Sequence, residues 1–166
     1  KVLVTGAGGS IGSELCRQII KCSPSEITLL GQGENSIFDI HREILKRISL
    51  LNGKASSTNV KISVANVRSY NRVDNVLGEI QPDVIFHAAA HKHVPLMEMN
   101  SCEAISNNVK GTQNLIDLSL KHNVEHFVFI STDKAVNPSS IMGASKRVAE
   151  MIVLKAAREY GKNYSA

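Results

Sequence analysis

Two groups of residues in this sequence have the types and spacing to do chemistry. The first is the run Thr5-Gly6-Ala7-Gly8-Gly9-Ser10-Ile11-Gly12, entered directly from the apolar stretch Lys1-Val2-Leu3-Val4. Gly6 supplies the positive φ of a tight turn, Gly9 lets an anion approach bare backbone, and Gly12 lets helix and strand meet closely. With Ser10 and Ile11 completing it, such a loop holds a pyrophosphate against backbone amides at a helix N-terminus. The spacing is GxxGxxG, which ordinary Gly-rich turns also show; the strand before it and the helix after it favour a nucleotide.

The second group is Ser131-Thr132-Asp133-Lys134, a polar burst at the end of the apolar run Val124 to Ile130, followed by Met142 and Lys146 one helical turn apart. Ligand chemistry in open α/β sheets gathers at the carboxyl ends of strands, so these side chains are candidates for contact with a reacting molecule. Between the two groups lie His87, His91, Lys92 and His93. Their HxxxHxH spacing suggests zinc, but it straddles a strand end and a loop with no Cys or carboxylate ligand close by in sequence, so no metal is expected.

These residues need a frame. Ile11, Leu15 and Ile19 recur every four residues and give the first helix an apolar face. Glu26 to Leu30 is a second strand, and about twenty residues past the glycines its end is where a dinucleotide fold places an acid for the adenosine ribose. Gly31 stands there; Glu34 is the nearest replacement and Asn35 can share the work, yet Glu34 equally suits the first turn of the next helix. That helix is expected from Asn35 to Leu51 with Ile37, Ile40, Ile44, Leu45 and Ile48 inward, followed by a polar loop over 52–59.

Val60 to Val64 is strand three, with Asn66 and Val67 beyond its end to bracket an adenine ring. A helix over 73–80 leads to strand four, Asp83 to His87, and to Ala88-Ala89-Ala90, small side chains that admit a cofactor against the backbone or simply pack tightly. One long helix is expected from Asn100 to Lys121, opened by Asn100 or Ser101 with Glu103 completing a capping arrangement. Asn107 and Asn108 fall in its middle, either packed or facing a cleft. A last helix runs from about Asn137 to Tyr160, and Tyr164-Ser165-Ala166 begins a sixth strand. Five βα units with right-handed crossovers give a Rossmann-like doubly wound parallel sheet of order 3-2-1-4-5.

At 166 residues, 43% hydrophobic and 20% charged, the chain is expected to form one domain over residues 1–166. It has no apolar run near the roughly eighteen residues that a membrane helix needs, so no membrane contact is expected from this segment. The net charge of +4 is spread over several helices without a run, which argues against nucleic acid as a partner. Cys16, Cys22 and Cys102 lack metal-ligand spacing and read as reduced and structural. The sequence starts inside a strand without Met, as an excerpt of a longer protein would.

The segments TGAGGSIG, HAAAHKHVP, NNVKGTQN and STDKAVNPSSIMGASKR together resemble the extended short-chain dehydrogenase/reductases, and within them the nucleotide-sugar 4,6-dehydratases of the CapD-like polysaccharide biosynthesis group. The resemblance spans essentially the whole chain and is most specific from Ser131 to Arg147. Most relatives carry a Tyr-x-x-x-Lys pair for acid/base work; here it is Met142-x-x-x-Lys146, and a thioether cannot exchange a proton. One branch of these dehydratases has Met at this position and keeps the Thr-Asp-Lys run, which implies that the proton work has moved to Asp133 and Lys134.

The implied reaction is an internal redox cycle on a UDP-linked N-acetylhexosamine, UDP-N-acetylglucosamine above all. Carbon 4 is oxidised, water is eliminated across carbons 5 and 6, and carbon 6 is reduced, giving a UDP-4-keto-6-deoxy sugar with no net consumption of NAD or NADP. By motif position Thr132 holds the 4-oxygen, Lys146 binds the nicotinamide ribose, Lys92 contacts the substrate, and Gly6, Gly9, Ser10, Ile11, Gly12, Glu34, Asn35, Asn66, Val67, Ala88 and Ala89 line the cofactor. The competing expectations are a UDP-sugar 4-epimerase of the same superfamily and a non-catalytic nucleotide-binding module, since the part that in this family holds most sugar contacts lies beyond residue 166. The resemblance also implies a cytoplasmic domain, with membrane helices upstream in some relatives, and leaves self-association into a homo-oligomer open.

Overall fold

A computed structural model describes residues 1–50 and 57–166. Six strands, β1 (Val2–Thr5), β2 (Glu26–Gly31), β3 (Asn59–Val64), β4 (Val84–His87), β5 (His126–Phe129) and β6 (Asn163–Ser165), form one sheet of order β3-β2-β1-β4-β5-β6. Every pairing is parallel, with Val4 of β1 level with Leu29 of β2 and Phe86 of β4. The sheet has the expected order, completed by β6. Parallel strands covered on both faces are apolar without alternation, and Leu3, Val4, Ile27, Leu29, Leu30 and Ile85 are fully buried.

Helices α1 (Ser10–Ile19) and α2 (Glu34–Leu50) pack on one face, and α3 (Tyr70–Ile80), α6 (Gly111–Lys121) and α7 (Ile141–Tyr160) on the other. In α2 the buried stripe is Ile37, Ile40, Ile44 and Ile48, each contributing about 1.5–3 kcal/mol relative to exposure. Leu45, expected on that stripe, is exposed, because it lies a further 100° round the helix from Ile44. The expected end of α2 at Leu51 and most of the polar loop lie outside the described residues. Cys16 is buried in α1, but Cys22 and Cys102 are exposed, so a packing role fits Cys16 alone.

Three departures from expectation matter for the site. A short helix, α4 (Val94–Met99), precedes the long one, with Pro95 in its first turn where the missing N–H costs nothing. The long helix is not uniform: α5 (Ser101–Ala104) passes into a π-helical turn over Ile105–Lys110 and then into α6. The expected capping arrangement does not form, since the Asn100 side chain donates to the Leu96 carbonyl instead. Finally, α7 begins at Ile141 and not at Asn137, because Ser140 is its N-cap and its hydroxyl accepts from the Gly143 amide at 3.1 Å. No helix among the described residues is long and apolar enough to cross a membrane.

Candidate functional site

The glycine loop lies at the carboxyl ends of β1 and β4. Gly6 has φ +68°, and a Cβ there would sit 2.6 Å from the Ala89 amide nitrogen. At Gly12 a Cβ would fall 2.0 Å from the Gly6 carbonyl oxygen, so both positions demand glycine. The loop closes on itself through the Gly9 amide donating to the Gly6 carbonyl at 2.9 Å.

Above it opens a cavity of about 220 Å³, walled by Gly6, Gly8 and Gly9, by Gly31 at the end of β2 and Gln32, Gly33 and Ser36 beyond it, by Asn66 and Val67 beyond β3, and by Ala88-Ala89-Ala90 beyond β4. The bare Gly6, Gly8 and Gly9 backbone and the small alanines leave space where larger side chains would intrude. That cradle fits a dinucleotide with its pyrophosphate on the loop.

A second cavity, of about 270 Å³, adjoins the first and shares Gly9, Ala88 and Ala90 with it. Ser10, Ile11, Lys92, Ile130, Ser131, Thr132, Lys134, Met142 and Lys146 complete its wall. Ile11 is half exposed here, so it faces the cleft and the buried residues of α1 are Gly12, Cys16 and Ile19. The Lys92 ammonium reaches the Ser10 hydroxyl at 3.3 Å, linking the β4 loop to the start of α1.

Lys146 is almost fully buried on α7. Its Nζ donates to the Ile130 carbonyl at 2.5 Å and lies 3.7 Å from the centre of the Phe129 ring, a cation–π contact. Burial pushes its pKa down to about 8, with the Glu150 carboxylate pulling the other way. Glu150 is itself held below the usual carboxylate range: burial would raise it, but hydrogen bonds from Ser131 and Arg147 outweigh that.

Asp133 turns differently. Its side chain is 86% exposed and does not line the cavity; its carboxylate accepts from the Thr132 hydroxyl at 2.9 Å and from Lys134 at 3.2 Å. Those two bonds, the Thr132 one first, hold it below its ordinary pKa. Met142 is buried among Met97 and Ala104, with Val94 and Ile141 beside them, so α4 supplies an apolar socket for the thioether.

Behind both cavities runs a buried polar chain. Thr112 donates to the Asn108 carbonyl at 2.6 Å, so its oxygen must accept from His87 Nε2, 3.0 Å away. His87 Nδ1 is then the acceptor for the Thr5 hydroxyl at 2.7 Å, which fixes a neutral tautomer. Asn108 clamps the β4 loop by accepting from the His91 amide and donating to the His91 carbonyl, and it also donates to Ser145, next to Lys146. The π turn makes this possible by turning both Asn107 and Asn108 inward; Asn107 also lines the first cavity.

Burial, helped by the Lys146 charge, pushes His87 down to about 3. The unfolded chain then binds one more proton than the folded one between that value and 6.5. Stability from this group is complete above pH 6.5 and falls as pH drops towards 3, by up to about 1.4 kcal/mol per pH unit. Urea unfolding midpoints between pH 6.5 and 4 should show a His87→Gln variant with a slope shallower by about one proton; an unchanged slope would contradict the assignment.

Of the sequence-expected residues, the structure gathers Gly6, Gly9, Asn66, Val67, Ala88 and Ala89 around the first cavity and Gly9, Ser10, Ile11, Ala88, Lys92, Thr132, Lys134, Met142 and Lys146 around the second. Gly12 sits beneath the loop, packed against Gly6. Glu34 and Asn35 do not line the first cavity; they form the exposed first turn of α2. In their place Gln32 and Ser36 do, and the only signal for Gln32 was its position one residue past the end of β2. His91 also lines the first cavity, and among the described residues no three His, Cys, Asp or Glu side chains are placed to hold a metal.

Known proteins are similar to this chain in sequence and in fold. The model for the family described as polysaccharide biosynthesis protein matches residues 2–166. The chain is similar to the capsular polysaccharide biosynthesis protein CapD of Staphylococcus aureus, at 51% identity over 152 residues, covering 92% of this chain and 24% of that protein. It is also similar to a UDP-glucose 4-epimerase of Rickettsia canadensis, at 34% identity over 166 residues, covering 98% of this chain and 45% of the relative. Among solved structures, Pen from Bacillus thuringiensis superimposes with a TM-score of 0.84 at 28% identity, over 98% of this chain and 47% of that one. The chain thus spans 24% to 47% of the length of these relatives. With the glycine cradle at the ends of β1 and β4, the sheet order and a family match over nearly every residue, the chain belongs to the polysaccharide biosynthesis protein family, built on the extended short-chain dehydrogenase/reductase fold.

Proposed function

We propose that the full-length protein carrying this chain is an NAD- or NADP-dependent nucleotide-sugar 4,6-dehydratase of polysaccharide biosynthesis, acting on a UDP-linked N-acetylhexosamine, with UDP-N-acetylglucosamine as the leading substrate. One observation carries the reading. The second cavity combines Thr132, Lys134 and Lys146 with a thioether seated in an apolar socket, where a proton-exchanging phenol would otherwise stand, and it opens onto the dinucleotide cradle.

The bound nicotinamide supplies reversible acceptance of the hydrogen on sugar carbon 4. The chain's own residues do the rest. The Thr132 hydroxyl accepts from the 4-hydroxyl and, already bonded to the Asp133 carboxylate at 2.9 Å, relays its proton there as carbon 4 is oxidised; the Lys146 ammonium, with hydrogens to spare beyond its bond to Ile130, holds the ribose hydroxyls and lowers the pKa of neighbouring groups. The ketone at carbon 4 acidifies the proton on carbon 5. The 4-hydroxyl proton leaves through Lys134, the ion-pair partner of Asp133, whose side chain lines the cavity and protonates the departing 6-hydroxyl; Asp133, rotated inward, takes the carbon 5 proton and gives it back when hydride returns to carbon 6.

The test is incubation of the full-length protein with UDP-N-acetylglucosamine and catalytic NAD or NADP, followed by proton NMR. A new 6-methyl doublet supports the proposal; unchanged sugar with either cofactor sinks it. The similarity to a UDP-glucose 4-epimerase motivates a second reading, in which carbon 4 is inverted and no methyl doublet forms. Met142 weighs against it, because it stands where most relatives carry the proton-exchanging Tyr, and inversion at carbon 4 has no use for the elimination pair Asp133 and Lys134.

A further inference from the structure

The ribose end of the first cavity has an unusual polarity, and it can be derived from groups whose hydrogen-bonding sense is fixed. The Arg68 backbone amide and guanidinium can only donate, and both donate to Asn66 Oδ1, at 2.9 Å and 3.2 Å. Asn66 must therefore present its NH₂ outward, and it donates to Gln32 Oε1 at 2.8 Å. The Gln32 amide is thereby oriented in turn. Its oxygen is occupied, and its Nε2 has no partner among the described residues.

Gln32 stands immediately beyond β2, where the ribose hydroxyls of a dinucleotide are read. A carboxylate at that place accepts from the 2′-hydroxyl and repels a 2′-phosphate. Here the side chain that lines the wall offers a donor, with Gly31 and Gly33 on either side of it, while the Ser36 hydroxyl on the same wall donates to the Gly33 carbonyl at 2.9 Å. No Asp or Glu lines this cavity among the described residues. Glu34 is exposed on the first turn of α2, and Glu103 is paired with Arg68 at 2.8 Å.

We infer that Gln32, oriented through Asn66 by Arg68, is the residue that sets cofactor choice, and that the site accepts a 2′-phosphorylated dinucleotide at least as readily as the unphosphorylated one. This rests on the cofactor cradle of the proposed function and goes further by naming the specificity determinant. A donor NH₂ serves a hydroxyl oxygen and a phosphate oxygen alike, and the phosphate gains more because its oxygens carry charge.

The test is isothermal titration of the full-length protein with NAD and with NADP, without sugar. The expected result is an NADP dissociation constant no more than threefold above that of NAD; a larger excess overturns the inference. The variant Gln32→Glu keeps the size of the side chain and the acceptor for Asn66, and is expected to raise the NADP-to-NAD ratio of dissociation constants at least tenfold. A smaller change removes Gln32 from the role. If neither nucleotide binds, the cradle itself is misread, and the cofactor part of the proposed function falls with this inference. Binding of both in the wrong order overturns this inference alone.

Discussion

Replacing Lys146 by methionine in the full-length protein is expected to lower sugar turnover by about 10²–10⁴-fold while making the protein more stable at neutral pH. Both effects have one cause. The ammonium is buried on α7 beneath the second cavity, held by one carbonyl and one aromatic face, and its pKa falls from 10.5 to about 8 because burial penalises the charge.

The sign follows from proton counting. Between pH 8 and 10.5 the unfolded chain binds more protons at this residue, so the cost of burying the charge is fully present below pH 8 and is relieved as pH rises through that window. The cost is on the order of 3 kcal/mol. Methionine has a similar length and no charge to bury. The Lys146→Met advantage should therefore be largest below pH 8 and shrink towards pH 10.5, as read from urea midpoints at several pH values. A variant that is less stable at pH 7, or that turns over sugar normally, would show that the lysine is there for packing or that the proton and ribose work is done elsewhere.

The second large effect is expected at Gly12. An alanine Cβ there would meet the Gly6 carbonyl oxygen at 2.0 Å, and both partners are backbone, so no side chain can swing away. The loop must move, and with it the Gly9 amide that closes on Gly6 and borders both cavities. Gly12→Ala is expected to weaken dinucleotide binding at least a hundredfold, and overpacking of this kind costs about 1–3 kcal/mol of stability. Calorimetric titration and denaturant unfolding read the two effects separately. Gly161→Ala is a fitting control: Gly161 also has positive φ, at +60°, but nothing lies within 4 Å of its Cβ position and it is far along the chain from the loop. It should lose some stability and keep cofactor affinity. If Gly12→Ala binds cofactor normally, the loop is an ordinary turn.

The sheet could be read from the sequence because each buried parallel strand is a short apolar run, and because the glycine loop identifies which strand is central. What escaped the sequence was orientation. Leu45 and Ile11 both sit close to an apolar helical stripe, yet one faces outward and the other faces the cleft, and a period of 3.6 residues does not separate an edge position from a buried one. The π turn over Ile105–Lys110 has no compositional mark, although it is what brings two consecutive asparagines inward together. Helix α4 was missed because six residues are too few for a period to show.

At the site the same limit applies. The spacing of Thr132, Lys134, Met142 and Lys146 was enough to place them on one cavity, because a strand end and the first turns of the following helix must converge there. Spacing did not reveal that Asp133 turns outward, since the rotamer of an exposed residue in a short turn leaves no pattern in the sequence. Gln32 was passed over because the search at the end of β2 was for an acid. Only the chain of donors from Arg68 through Asn66 shows that an amide donor stands there.

The most direct test of the dehydratase reading is to give the full-length protein UDP-N-acetylglucosamine deuterated at carbon 4, with catalytic cofactor in ordinary water, and to follow carbon 6 by NMR. The account predicts a 4-keto product whose new methyl group carries one deuterium, because the hydrogen removed from carbon 4 is the one returned to carbon 6 within the same site. A sugar whose label stays on carbon 4, with or without inversion there, and which never gains a methyl group, would contradict it.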